Sequence, residues 1–153
     1  MLVVDYQSKS YHRFLSDMFQ IAKHKKRFLI TLNGGNASEL LAATEDIASF
    51  AESTITSTAA ITNKASDESV SHLFEEARKT RNILLFEQSD LLFDKKTALK
   101  TSHERDTGFD LNNLFKNIAK HNGMVILSTE KKQTLNASMS NKVDVLIRFR
   151  LNG

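Results

Sequence analysis

The chain has 153 residues, 41% hydrophobic and 25% charged, which is the balance of a globular domain long enough to bury its own core. It contains no cysteine, which excludes disulfides, thiol catalysis and thiolate metal sites. A net charge of +3 and a pI near 9.2 permit an acidic partner or nucleic acid without requiring either, and no apolar run reaches the roughly 20 residues of a membrane span.

The first residues, Met1 to Phe14, lack a basic segment followed by an apolar one, so the expectation is a cytoplasmic protein without a secretory signal. Tyr11, Phe14, Leu15, Met18, Phe19 and Ala22 recur at helical spacing and predict an amphipathic helix over residues 9–24. Because this helix precedes the strands, Phe14 and Phe19 are candidates for an interface. The run Phe28 to Leu32 reads as a strand buried on both faces. A glycine turn, Asn33-Gly34-Gly35-Asn36, leads into a helix over 38–52 that carries Leu40, Leu41, Ala42, Ile47 and Phe50.

Thr54 to Thr62 is rich in β-branched residues and predicts a second strand. Asp67 caps a helix to about Lys79, with Val70, Leu73, Phe74 and Ala77 inward. Asn82 to Glu87 is the third strand, and a charged segment follows from Asp94 to Gly108. Asp110 caps a helix that turns Leu111, Leu114, Phe115 and Ile118 inward; Gly123 then opens a fourth strand, Met124 to Thr129, and Val143 to Phe149 is a fifth. Continuous apolar strands alternating with helices predict an α/β fold, a parallel sheet covered on both faces, in one domain over 1–153. Ligands of such sheets sit at the carboxyl ends of the strands, here Asn33-Gly34-Gly35, Glu87-Gln88 and Thr129-Glu130.

Strand, glycine loop and helix, then "NILLFEQSDLLFDKKTALKTSHERD" (Asn82 to Asp106), "GMVILSTEKK" (Gly123 to Lys132) and "LNASMSNKVDVLIRF" (Leu135 to Phe149), resemble the nucleotide-binding core of the AAA+ ATPases. The resemblance runs from about Phe28 to Phe149. It implies a three-layer sandwich with a five-stranded parallel sheet in the order 5-1-4-3-2, counted from Phe28. The chain stops at Gly153, so no C-terminal helical lid is expected.

Measured against that family, the charge-handling positions are changed. With Gly34 as the first P-loop glycine, and Ile47-Ala48 fixing the register, the second glycine is Glu39, the lysine Leu40 and the hydroxyl residue Leu41. Leucine neither neutralises phosphate nor holds Mg²⁺. At the Walker B strand the acidic pair becomes Glu87-Gln88, and glutamine is no general base. Sensor 1 becomes Glu130, and Asn141-Lys142 stand where arginines are expected.

The resemblance therefore implies no catalytic residue, with Glu87 and Gln88 a degenerate Walker B pair. Gly34, Gly35, Asn36 and Glu130 are the candidates for residual nucleotide contact, and Glu87 and Asp90 for a metal ion. Lys95, Lys96, His103 and Arg105 are candidates for interaction. Two readings stand for Gly34-Gly35: a plain strand-to-helix turn, or an anion site at a helix N-terminus. The five histidines, His12, His24, His72, His103 and His121, show no metal-binding spacing.

The leading expectation is an inactive AAA+-like domain with no cofactor that acts by protein contact, as an adaptor or assembly subunit beside AAA+ relatives or in a large assembly of the kind that bacterial members accompany. The alternatives are a weak, Mg²⁺-dependent ATP-binding protein or ATPase, and a DNA-associated accessory subunit using Lys23 to Arg27 and Lys95 to Lys100. The last predicts salt-sensitive DNA binding.

Overall fold

A computed structural model of the protein describes residues 1–24, 26–58, 67–87, 89, 111–135 and 140–149. In chain order the elements are β1 (Leu2–Asp5), α1 (Lys9–Lys23), β2 (Phe28–Asn33), α2 (Ala37–Ala51), β3 (Ile55–Thr58), α3 (Asp67–Thr80), β4 (Ile83–Phe86), α4 (Leu111–Lys120), β5 (Met124–Thr129) and β6 (Val145–Arg148). The strands form one parallel sheet in the order β1-β6-β2-β5-β4-β3.

Side-chain alternation along the strands builds two cores. Ile30, Leu32, Ile83, Leu85, Met124, Ile126, Val145 and Ile147 face α1 and α2. Their neighbours Leu29, Leu84, Phe86, Val125 and Leu127 face α3 and α4. The result is a helix–sheet–helix sandwich. The expected α/β class and the relative order of the five expected strands are found.

One expectation is corrected: the described sheet has six strands, not five. Leu2–Asp5 adds to β6 at the edge, Leu2 opposite Val145 and Asp5 opposite Arg148. Its apolar run, Leu2 to Val4, is short, and only Val4 is buried while Leu2 and Val3 stay exposed, unlike the continuously buried inner strands. Asp5 also pairs with Arg148 at 3.0 Å, a surface ion pair worth at most about 1 kcal/mol.

Ser8 caps α1, accepting from the Tyr11 N–H, and the helix buries Tyr11, Phe14, Leu15 and Met18. Phe14 is thus a core residue rather than an interface one; Phe19, 41% exposed, lies outside that buried stripe. Asp144 sets β6 beside β2: its carboxylate accepts the Leu29 N–H at 2.8 Å and meets Arg27 at 3.5 Å. No described helix is long and apolar enough to cross a membrane.

Candidate functional site

The carboxyl ends of β2, β4, β5 and β6 converge where a ligand of this architecture sits. Asn33, the last residue of β2, is 4% exposed and bonds through both its amide nitrogen and its amide oxygen to neighbouring segments. Its Nδ2 donates to the Gln133 carbonyl at 2.9 Å, and its Oδ1 accepts the Gln133 N–H at 2.8 Å and the Thr129 hydroxyl at 3.3 Å. The segment after β5 is thereby pinned across the end of β2.

That crossing accounts for Gly34, and the end of β6 for Gly35, without a phosphate. Gly34 sits at φ +84, in the region that glycine enters without penalty, and donates its N–H to the Thr129 carbonyl at 3.0 Å. A Cβ there would come within 3.0 Å of the Lys132 Cα. At Gly35 a Cβ would meet the Phe149 ring at 2.9 Å. Phe149 lies 4.7 Å from Tyr6, which lies 5.1 Å from Tyr11, so an aromatic row walls the turn on that side. Tyr11 ends the row with its hydroxyl donating to Asp46 at 2.8 Å; burial first and this carboxylate second hold its phenol well above the usual range, so it stays protonated.

Asn36 belongs to the helix rather than to a loop. It is the N-cap of α2: its side chain accepts the Glu39 N–H at 2.8 Å while its own N–H donates to the Glu39 carboxylate at 3.2 Å. This is a closed capping box. A P-loop has four residues between its glycines. Here the cap arrives two residues after Gly34, and Glu39, Leu40 and Leu41 lie inside the first helical turns. The helix end that would cradle phosphate is already occupied by its own carboxylate.

Beside it lies a cavity of about 200 Å³, lined by Ala37, Leu40, Leu41, Thr44, Leu85, Glu87, Ser128 and Glu130. Typical small-ligand pockets run to about 300–1,000 Å³, so this one is undersized for a nucleotide. Leu40 is 7% exposed and belongs to the core, whereas Leu41 is 57% exposed. Thr44 spends its hydroxyl on the Leu40 carbonyl at 2.8 Å. The polar rim is acidic: Glu87 from the end of β4 and Glu130 from the end of β5, both exposed.

Of the residues expected from sequence, the structure brings Glu87 and Glu130 to one cavity, with Gly34, Gly35 and Asn36 on the adjoining turn. Gln88, Asp90, Lys95, Lys96, His103 and Arg105 lie outside the described residues. Among the described residues no group of three potential ligands is placed to hold a metal ion. Asn33 and Thr129, marked in the sequence as strand ends without a role of their own, organise the turn together with Phe149, which was not singled out from sequence. The Asn-x-x-Glu spacing of the capping box was present in the sequence as a signal.

Comparisons with known proteins agree on the fold. A chain of the E. coli MS115-1 HORMA:CdnC:Trip13 complex matches with TM-score 0.55 at 19% identity, over 96% of this chain and 55% of that one. C. elegans PCH-2 matches with TM-score 0.64 at 13% identity, over 95% and 44%, and a katanin structure concerned with self-assembly with TM-score 0.61 at 14%, over 92% and 49%. The protein thus spans about half the length of the chains it resembles. No match is found among curated proteins. The profile of the ATPase family associated with various cellular activities (AAA) matches residues 21–151, nearly the whole length, and the chain belongs to that family.

Proposed function

We propose that this AAA-family domain does not hydrolyse ATP and works by contact with protein partners, as an adaptor or assembly subunit. The observation that carries this reading is the self-capped end of α2. Asn36 and Glu39 satisfy each other where phosphate would lie, and the adjoining cavity offers two leucines and two carboxylates. Two like unit charges about 4 Å apart repel by about 4 kcal/mol near a protein surface, and a nucleotide brings several charges toward this acidic rim. Gln88 in place of the usual glutamate supports the same conclusion, since an amide cannot take a proton from water near neutral pH.

The partner side of the proposal draws support from the HORMA:CdnC:Trip13 complex and from the katanin self-assembly structure, each of which contains a chain of this fold. Calorimetry with ATP and ADP, with and without Mg²⁺, tests the first half. Absence of heat up to millimolar concentrations is expected, and Mg²⁺-dependent binding overturns it. Sedimentation of the purified chain with and without candidate AAA subunits tests the second half. A chain that stays monomeric and joins none of them counts against an assembly role.

One observation favours a second reading, a weak nucleotide binder. Lys132 crosses directly over Gly34 and would bring a cation to the turn, with Glu87 as the metal ligand. It predicts Mg²⁺-dependent binding that both Lys132→Ala and Glu87→Ala abolish.

A further inference from the structure

The larger cavity, about 530 Å³, lies at the opposite end of the sheet, where β4 and β5 begin. It runs from the C-terminal ends of α1 and α2, past Ile83 and Met124, to the ends of α3 and α4. This volume falls within the range of small-molecule sites. Its apolar wall includes Phe19, the aromatic ring that the core leaves 41% exposed.

The polar lining has one sign. Lys23, Arg78 and Arg81 face the cavity, and among the described residues no carboxylate does. None of the three side chains makes an ion pair or hydrogen bond with a described residue. His121 closes the inner wall at 4% exposure, its ring edge-on to Phe74 at 5.3 Å, and neither ring nitrogen has a hydrogen-bond partner among the described residues.

Helix dipoles alone favour cations at helix C-termini, which accounts for Lys23 and Arg78 in their last turns. They account neither for a buried imidazole without a described partner nor for three cations sharing one cavity with no counter-charge among the described residues. Buried polar groups are normally satisfied, and like charges normally disperse.

We propose that this groove is a ligand site for a small organic anion, a carboxylate or phosphate carried on an apolar or aromatic body. The anion lies against Arg78, Arg81 and Lys23, and the body against Phe19, Ile83 and Met124. The site is separate from the turn at Gly34 and does not depend on the state of that turn.

The probe is phenyl phosphate, titrated into the ¹⁵N-labelled chain and followed by amide shifts, with inorganic phosphate as the reference. Saturable shifts at Lys23, residues 78–82 and residues 121–123 are expected, with Kd below about 1 mM and at least about fivefold tighter than phosphate. Arg78→Glu with Arg81→Glu weakens binding by about tenfold or more, as does Lys23→Glu alone, with the melting temperature retained because all three side chains are exposed. Lys9→Glu, an equal charge reversal at the exposed start of α1 and away from the cavity, leaves the affinity unchanged. Lack of saturable shifts at about 10 mM probe, or shifts centred on Gly34 to Glu39, overturns the proposal. So does affinity that survives both the Arg78/Arg81 and the Lys23 variants. Equal affinity for phosphate and phenyl phosphate removes the apolar half of the recognition and overturns it as stated.

Discussion

Rewriting the turn after β2 toward a phosphate-binding loop, with Glu39→Gly, Leu40→Lys and Leu41→Thr, is expected to damage the fold without creating a nucleotide site. The cost follows from where the three side chains sit. Leu40 is 7% exposed within the core beneath α2, and losing that burial costs about 1.5–3 kcal/mol. Removing Glu39 opens the capping box and withdraws a favourable charge from the helix N-terminus, about 0.3–1 kcal/mol. The glycine replacing it adds about 1 kcal/mol in a helical turn. Leu41, 57% exposed, contributes little. The total of about 3–5 kcal/mol lowers the melting temperature by roughly 6–20 °C for a chain of this size. Circular dichroism melting and calorimetry with Mg²⁺ and ATP read both arms. A triple variant that melts within about 2 °C of the parent and binds ATP with Kd below about 1 mM would refute the argument that loop geometry, and not three side chains, excludes phosphate.

Other perturbations read other parts of the structure. Asn33→Ala strips the Gln133 N–H and carbonyl of their partner and lowers stability by about 2–3 kcal/mol, measured as a fall in the urea midpoint at constant slope. Thr31→Val removes a hydroxyl that is fully buried without a hydrogen-bond partner among the described residues, so it raises stability by about 1 kcal/mol; a lower melting temperature contradicts this. Burial, with Arg78 nearby, holds the His121 imidazole below its ordinary 6.5. At neutral pH and above, the group is neutral in folded and unfolded chains alike. As pH falls through 6.5 the unfolded chain binds the proton first, and stability drops until the folded group also protonates. Urea midpoints at about pH 5 and pH 7.5 therefore differ, and His121→Leu narrows the difference.

The inner strands β2, β4, β5 and β6 were legible as short apolar runs and the edge strand β3 by its β-branched residues, and the helical faces of α1 and α3 followed from their spacing. Asn36 and Glu39 show how a true signal was given another reading: the same glycine turn suits a phosphate loop and a capped helix, and only the helix start distinguishes them. Leu40 and Leu41 look equivalent in sequence, yet one is buried and the other exposed, because the first turn of α2 presents a single edge to the sheet. The pin between Asn33 and Gln133 joins residues 100 apart in the chain and leaves no local pattern. The groove at Lys23, Arg78 and His121 is assembled from the ends of elements on both faces, so no stretch of sequence contains it.

The strand order also has a consequence in time. β2 lies between β5 and β6, and among the described strands β1 pairs with β6, so the first two strands made have their partners near the far end of the chain. Synthesis at roughly 5–20 residues per second leaves β2 waiting on the order of 10 s for β5 to emerge. Through that interval the apolar stripes of α1 and α2 have no sheet to cover, and contacts this distant close slowly even in the complete chain. The protein commits to its structure late, when β6 enters between β1 and β2 and joins the beginning of the chain to its middle.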